Sequence, residues 1–124
     1  TKRSNNTMMR TFQYGYEANS RLVNGLSITG AHPFTVAKTY DPDRNLVQSI
    51  DAQWSTAHET RFDYTYTDLM QRKTAKQSGA AFNDYWSGQG YSAVYNVYSY
   101  NDRSELQTAA MYRGNTPTSS PSAA

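Results

Sequence analysis

Large apolar side chains recur at every second position in several stretches of this chain. Phe12, Tyr14 and Tyr16 alternate with Thr11, Gln13 and Gly15, and Leu22, Leu26 and Ile28 continue the same parity after a polar break. Period two is the signature of a half-buried strand, because successive side chains leave opposite faces of the backbone. Strand, turn, strand makes a first hairpin. Gly30-Ala31-His32-Pro33 interrupts the pattern, since proline lacks a ladder donor and restricts the residue before it. Phe34, Val36 and Tyr40 resume it, and a second hairpin turns at Asp41-Pro42-Asp43-Arg44 and returns through Leu46 and Ile50. Asp51 to Ala57, with Trp54 as its only large apolar group, reads as a connection. Phe62, Tyr64 and Tyr66 give the cleanest alternation, but Met70 to Ser78 is mostly polar on both faces, so a third hairpin is expected at an exposed or edge position. The glycines and small residues of 79–91 mark a loop. A last hairpin spans about 92–113, with Val94, Tyr98 and Tyr100 on one parity, joined by Leu106, Ala110 and Tyr112, and with Val97 and Met111 on the other.

The turns share a pattern of their own. Tyr16-Glu17 leads to Leu22, Tyr40-Asp41 to Leu46 and Tyr100-Asn101 to Leu106, with a degraded copy from Tyr66 to Arg72. The tyrosines lie 24, 26 and 34 residues apart, a spacing characteristic of arrayed units. The turn residues are short and polar, the types that bend a backbone and cap it through side-chain hydrogen bonds. The three leucines are expected to be core residues just past the turns.

At these residues the sequence resembles the YD-repeat, or RHS-repeat, family, whose units follow Tyr-Asp-x-x-Gly-Arg-Leu. The resemblance covers about 12–113 and is closest at Tyr40-Asp41 with Leu46; where the family has its turn glycine, this chain has Ser20, Arg44, Met70 and Ser104. The resemblance implies a secreted or cell-surface protein whose repeats coil into a hollow β-shell, as in bacterial RHS toxins, insecticidal toxin complexes and teneurins. The expected fold is all-β, a series of antiparallel hairpins in a twisted sheet, with residues 1–7 a disordered lead-in, 8–114 the repeat domain and 115–124 a flexible linker or tail.

Composition narrows the picture further. Of 124 residues, eleven are tyrosine and none is cysteine. Tyrosine suits a pleated, half-wet surface, and without cysteine there is neither a disulfide framework nor a thiolate metal site. Twelve basic and ten acidic residues give a net charge of +2. The basic residues are scattered rather than gathered in the stripe that neutralises phosphates, so no nucleic acid is expected as partner. No apolar run reaches membrane-spanning length, and a chain opening on Thr1 without a signal peptide reads as a piece of a longer protein.

Catalytic chemistry finds little purchase. His32 and His58 lie in no metal-binding motif, Asp41 and Asp43 lack the remainder of a calcium loop, and the other acids are scattered. Asp41-Pro42 continues with Asp43-Arg44 rather than toward the glycine of the self-cleavage motif some RHS proteins carry. No catalytic, cofactor or metal residue is assigned, and a structural, non-enzymatic module is expected. Its partners would be neighbouring repeats or further copies meeting through edge strands. The alternative is a carbohydrate- or protein-binding module that uses the rings of Phe82, Tyr85, Trp86 and Tyr91, whose planar faces could stack on a sugar or anchor another chain.

Overall fold

The computed structural model describes residues 2–4, 7–82 and 91–114. Nine strands follow one another: β1 (Lys2–Ser4), β2 (Thr7–Tyr16), β3 (Val23–Thr29), β4 (Phe34–Tyr40), β5 (Val47–Trp54), β6 (Ala57–Tyr66), β7 (Arg72–Ser78), β8 (Ala93–Tyr100) and β9 (Leu106–Arg113). Every strand pairs antiparallel with its sequence neighbour, so spatial order and chain order coincide in one open sheet. The all-β fold of successive hairpins is therefore as expected. Four hairpins, β2–β3, β4–β5, β6–β7 and β8–β9, place all four tyrosine turns along one end of the sheet, and the connections at 30–33 and 55–56, with residues 79–82 and 91–92, lie at the other.

Registers assign the side chains to two faces, because directly opposed residues project to the same side. Phe12, Tyr14, Leu26, Ile28, Phe34, Val36, Ile50, Trp54, Phe62, Tyr64, Val94 and Tyr98 share one face. Thr35, Thr39, Ser49, Asp51, Arg61, Asp63, Thr65, Thr74 and Lys76 share the other. One side is thus aromatic and the other is rich in hydroxyls and charge. A single layer cannot bury its apolar face as two packed layers do. Among the described residues the buried hydrophobic ones are accordingly small and few, Ala75, Ala93 and Val94, all on β7 and β8.

Several expectations need correction. Lys2–Ser4, within the expected lead-in, form β1, which pairs with the first part of β2. The connection proposed at Asp51 to Ala57 is mostly strand, with β5 running to Trp54 and only Ser55-Thr56 turning. Ser55 takes a left-handed backbone (φ 58°), and its N–H donates to the Pro33 carbonyl of the neighbouring connection at 2.8 Å. The third hairpin is central rather than at an edge, since β5 flanks β6 and β8 flanks β7. Its polar residues lie there because each strand of a single-layer sheet keeps a wet face. The tail at 115–124 lies outside the described residues.

A bulge recurs at one place in all four hairpins. The pairing register shifts between Gly15 and Tyr16, Thr39 and Tyr40, Thr65 and Tyr66, and Ser99 and Tyr100. Each bulge leaves one extra residue on the return strand, and bulges increase local twist. The last of them reverses the expected parity of β9. Met111 stands opposite Asn96 on the aromatic face, whereas Ala110 and Tyr112 stand opposite Val97 and Tyr95 on the other.

Candidate interaction surface

The four tyrosines of the repeated turn are structurally equivalent. They pair with Val23, Val47, Arg72 and Leu106, the first residues of the return strands. Three of them also reach sideways to the hairpin before. The Tyr40 hydroxyl donates to the Val23 carbonyl at 2.8 Å, Tyr66 to Val47 at 2.6 Å and Tyr100 to Arg72 at 2.8 Å. Each of these carbonyls belongs to the residue that opens the previous return strand. A hydrogen bond of this kind contributes about 1 kcal/mol net, and its repetition fixes one hairpin's turn against the next. Tyr16 has no hairpin before it among the described residues, and it is 57% exposed.

Hydroxyl pairs sit beside three of these tyrosines on the opposite face. Thr39 and Ser49 approach to 2.7 Å, and Thr65–Thr74 and Ser99–Thr108 each to 2.6 Å. The first hairpin has Gly15 opposite Gly25 at this position. A hydroxyl residue before the tyrosine was visible in the sequence as Thr39-Tyr40, Thr65-Tyr66 and Ser99-Tyr100. The carbonyl acceptors were not, because a backbone oxygen leaves no trace in residue identity.

The turns are capped as their composition implied. Asp41 accepts the N–H groups of Asp43 and Arg44 at 3.1 Å each, and Asn101 those of Arg103 and Glu105 at 3.0 Å each. Arg44 donates to Asp41 at 2.8 Å and to the Thr67 carbonyl of the next turn at 3.1 Å, tying two neighbouring turns together. The Arg44 hydrogen bond draws the Asp41 carboxyl below its ordinary range.

The leucines do not form a uniform core. The carbonyls of Leu22 and Leu46 close their turns by accepting from Glu17 and Asp41, a place held by Gln71 and Glu105 in the other two turns. Leu106 lies one residue further on, because its turn is a residue shorter, and it is 58% exposed. Leu22 and Leu46 are half-buried. The turn glycine's place is likewise split. Met70 and Ser104 adopt left-handed backbone (φ 63° and 65°), whereas in the two longer turns Asn19 and Asn45 do so instead of Ser20 and Arg44.

Of the aromatic loop cluster, Phe82 packs edge-on against Phe62 with ring centroids 5.9 Å apart, and the Arg113 guanidinium lies 5.7 Å from the centre of the Tyr91 ring. Tyr85 and Trp86 lie outside the described residues. The structure thus engages two of the four rings in packing against the sheet.

A charged network absent from the sequence reading occupies the polar face of β5 and β6. Asp51 is buried and lies 2.8 Å from His58 Nδ1, 3.0 Å from Gln53 Nε2 and 3.3 Å from Arg61, which in turn grips Asp63 at 2.9–3.1 Å. Burial alone would raise the Asp51 carboxyl, but the hydrogen bonds from His58 and Gln53, with the Arg61 charge, outweigh it and hold it below the ordinary carboxylate range. A depressed folded-state pKa contributes stability above the unfolded value of about 3.9, and that contribution is lost as pH falls through the folded value. Asp51→Asn is therefore expected to lower the melting temperature at pH 7, with the gap to the parent narrowing as pH falls below 4. Thermal melts from pH 7 to pH 2.5 check this; a gap constant with pH would mean that the ionised carboxylate contributes nothing.

Among the described residues no helix is long and apolar enough to cross a membrane. No protein-family model, curated protein or solved structure matches this chain.

Proposed function

We propose that the chain is a structural repeat module, a wall segment of a secreted or cell-surface β-shell of the YD/RHS-repeat kind, acting by enclosure or adhesion rather than by catalysis. The observation that carries this reading is the tyrosine relay: three successive junctions use the same hydroxyl, the same carbonyl position and the same bulge. A device that repeats without change between neighbours suits a wall extended unit by unit, whereas a binding pocket needs convergent and unequal groups. The secreted or surface setting rests on the resemblance of the Tyr-to-Leu spacing. The single-layer sheet supports a wall as well, since a layer with one aromatic and one polar face can separate an inside from an outside.

A tandem chain tests the reading. In a repeat array, stability is the sum of unit terms and neighbour interfaces. Two copies joined in sequence should therefore have a higher urea midpoint than one, and scattering should show a single extended body. An unchanged midpoint with two independent particles would reject the repeat-module reading.

A further inference from the structure

The two edges of the sheet carry complementary halves of one further junction. At each internal junction the residue two places after the carbonyl acceptor stands opposite the residue three places before the tyrosine. Gly25 faces Ala37, Ser49 faces Asp63 and Thr74 faces Val97, with Val23, Val47 and Arg72 as acceptors and Tyr40, Tyr66 and Tyr100 as donors. The register is identical in all three, although the connections between the hairpins differ in length. On the first edge, Tyr16 is a donor whose hydroxyl has no junction partner among the described residues. On the last edge, Leu106 opens a return strand and holds the acceptor position, with no following hairpin among the described residues.

Part of the apolar exposure among the described residues lies at these two edges, and the rest at Trp54, Leu69 and Met70 of the internal hairpins. Phe12, Tyr14 and Tyr16 on β2 and Leu106 on β9 are each 57–58% exposed. Their counterparts inside the sheet, Val36 and Tyr40, Phe62, Tyr64 and Tyr66, and Tyr98 and Tyr100, are half-buried by a neighbouring hairpin. The pairing of β1 with β2 runs from Thr7 to Arg10, and no described strand lies against Phe12 to Tyr16 on the side away from β3. An edge strand with open backbone groups is a template for another strand.

We propose that a second copy of this chain occupies that edge head to tail: the Leu106–Ala109 part of β9 of one copy pairs antiparallel with the Phe12–Tyr16 part of β2 of the next, which β1 leaves open, with Thr108 opposite Gln13, Ala109 opposite Phe12, and the Tyr16 hydroxyl donating to the Leu106 carbonyl. This rests on the repeat-module reading and specifies the partner. The interface is heterologous, each copy offering a different edge, so association continues from copy to copy as a chain or closes into a ring. Two β9 edges do not suit one another, because both present the acceptor position and neither presents the tyrosine.

The absence of cysteine from the chain makes the register directly testable. Chains carrying Gln13→Cys and chains carrying Thr108→Cys, both at exposed strand positions, are mixed and given a brief diamide pulse. The expected product is a disulfide between the two kinds of chain, formed in preference to either self-pair and in preference to a Gln13→Cys mixture with Gln107→Cys. Sedimentation of the unmodified chain should show mass rising with concentration, and Tyr16→Phe should weaken the association roughly five-fold, as the loss of one hydrogen bond implies. A single monomer boundary at all concentrations, or Thr108→Cys linking mainly to itself, would overturn the proposal. A tandem chain that gains stability while separate copies stay monomeric would overturn the intermolecular junction and leave the repeat reading standing. Failure of both would remove both.

Discussion

Gly79→Ala is expected to destabilise the fold by about 3 kcal/mol or more, combining backbone strain with a steric clash. Gly79 follows β7 with φ +117°, a conformation that L side chains rarely adopt, and a β-carbon there would stand 2.6 Å from the Glu59 carbonyl oxygen and 2.8 Å from its carbon. Both are backbone atoms of Glu59, the residue left over where the β5–β6 register shifts, and main-chain atoms cannot swing aside as the far end of a flexible side chain can. Gly114 separates the two contributions. It has a similar φ of +108° with nothing within 4 Å, so Gly114→Ala should show the strain alone, about 1–2 kcal/mol. Urea melts of both variants check this, and equal losses would mean that the contact with Glu59 costs nothing. The close approach also serves the architecture, because it lets the chain turn from β7 into the segment that lays Phe82 on Phe62.

How far the fold could be read depended on how one-sided each strand is. The alternations at Phe12 to Tyr16, Phe34 to Tyr40 and Phe62 to Tyr66 were legible because a sheet with one aromatic face imposes period two on its sequence. The start of β6 and the end of β5 were not. There the polar face is built from Asp51, Gln53, His58 and Arg61, and the aromatic face carries the small residues Ala52 and Thr60, so the contrast between faces disappears. The turn at Ser55-Thr56 contains neither glycine nor asparagine, the usual signs of a left-handed residue. The repeat itself was legible through its tyrosines. Its leucines misled because one residue of turn length separates the first two copies from the last, and only the hydrogen bonds that close the turns show which positions correspond. The relay was beyond reach, since the hydroxyl's partner is a main-chain oxygen 17 to 28 residues away.

Val94→Lys should be at least as damaging as the glycine change, costing about 3 kcal/mol or more, whereas Leu106→Lys should change monomer stability by about 0.5 kcal/mol at most. Val94 is 1% exposed and stands directly opposite Arg113. The Arg113 Nε is itself buried without a hydrogen-bond partner, so a lysine at position 94 would add an unpaired cation beside an incompletely satisfied one. Val94→Asp supplies the contrast, because a carboxylate there gains Arg113 as counter-ion and should recover part of the loss. The expected order of urea midpoints is therefore parent, Val94→Asp, Val94→Lys, with Leu106→Lys close to the parent. If the lysine and aspartate variants melted together, Arg113 would not feel position 94. If Leu106→Lys unfolded the chain, the repeated leucine would be core after all. Should the ranking hold, the two positions divide by role: Val94 sustains the single sheet, and Leu106 lies on the edge proposed to meet the next copy, where its replacement should weaken association without unfolding the monomer.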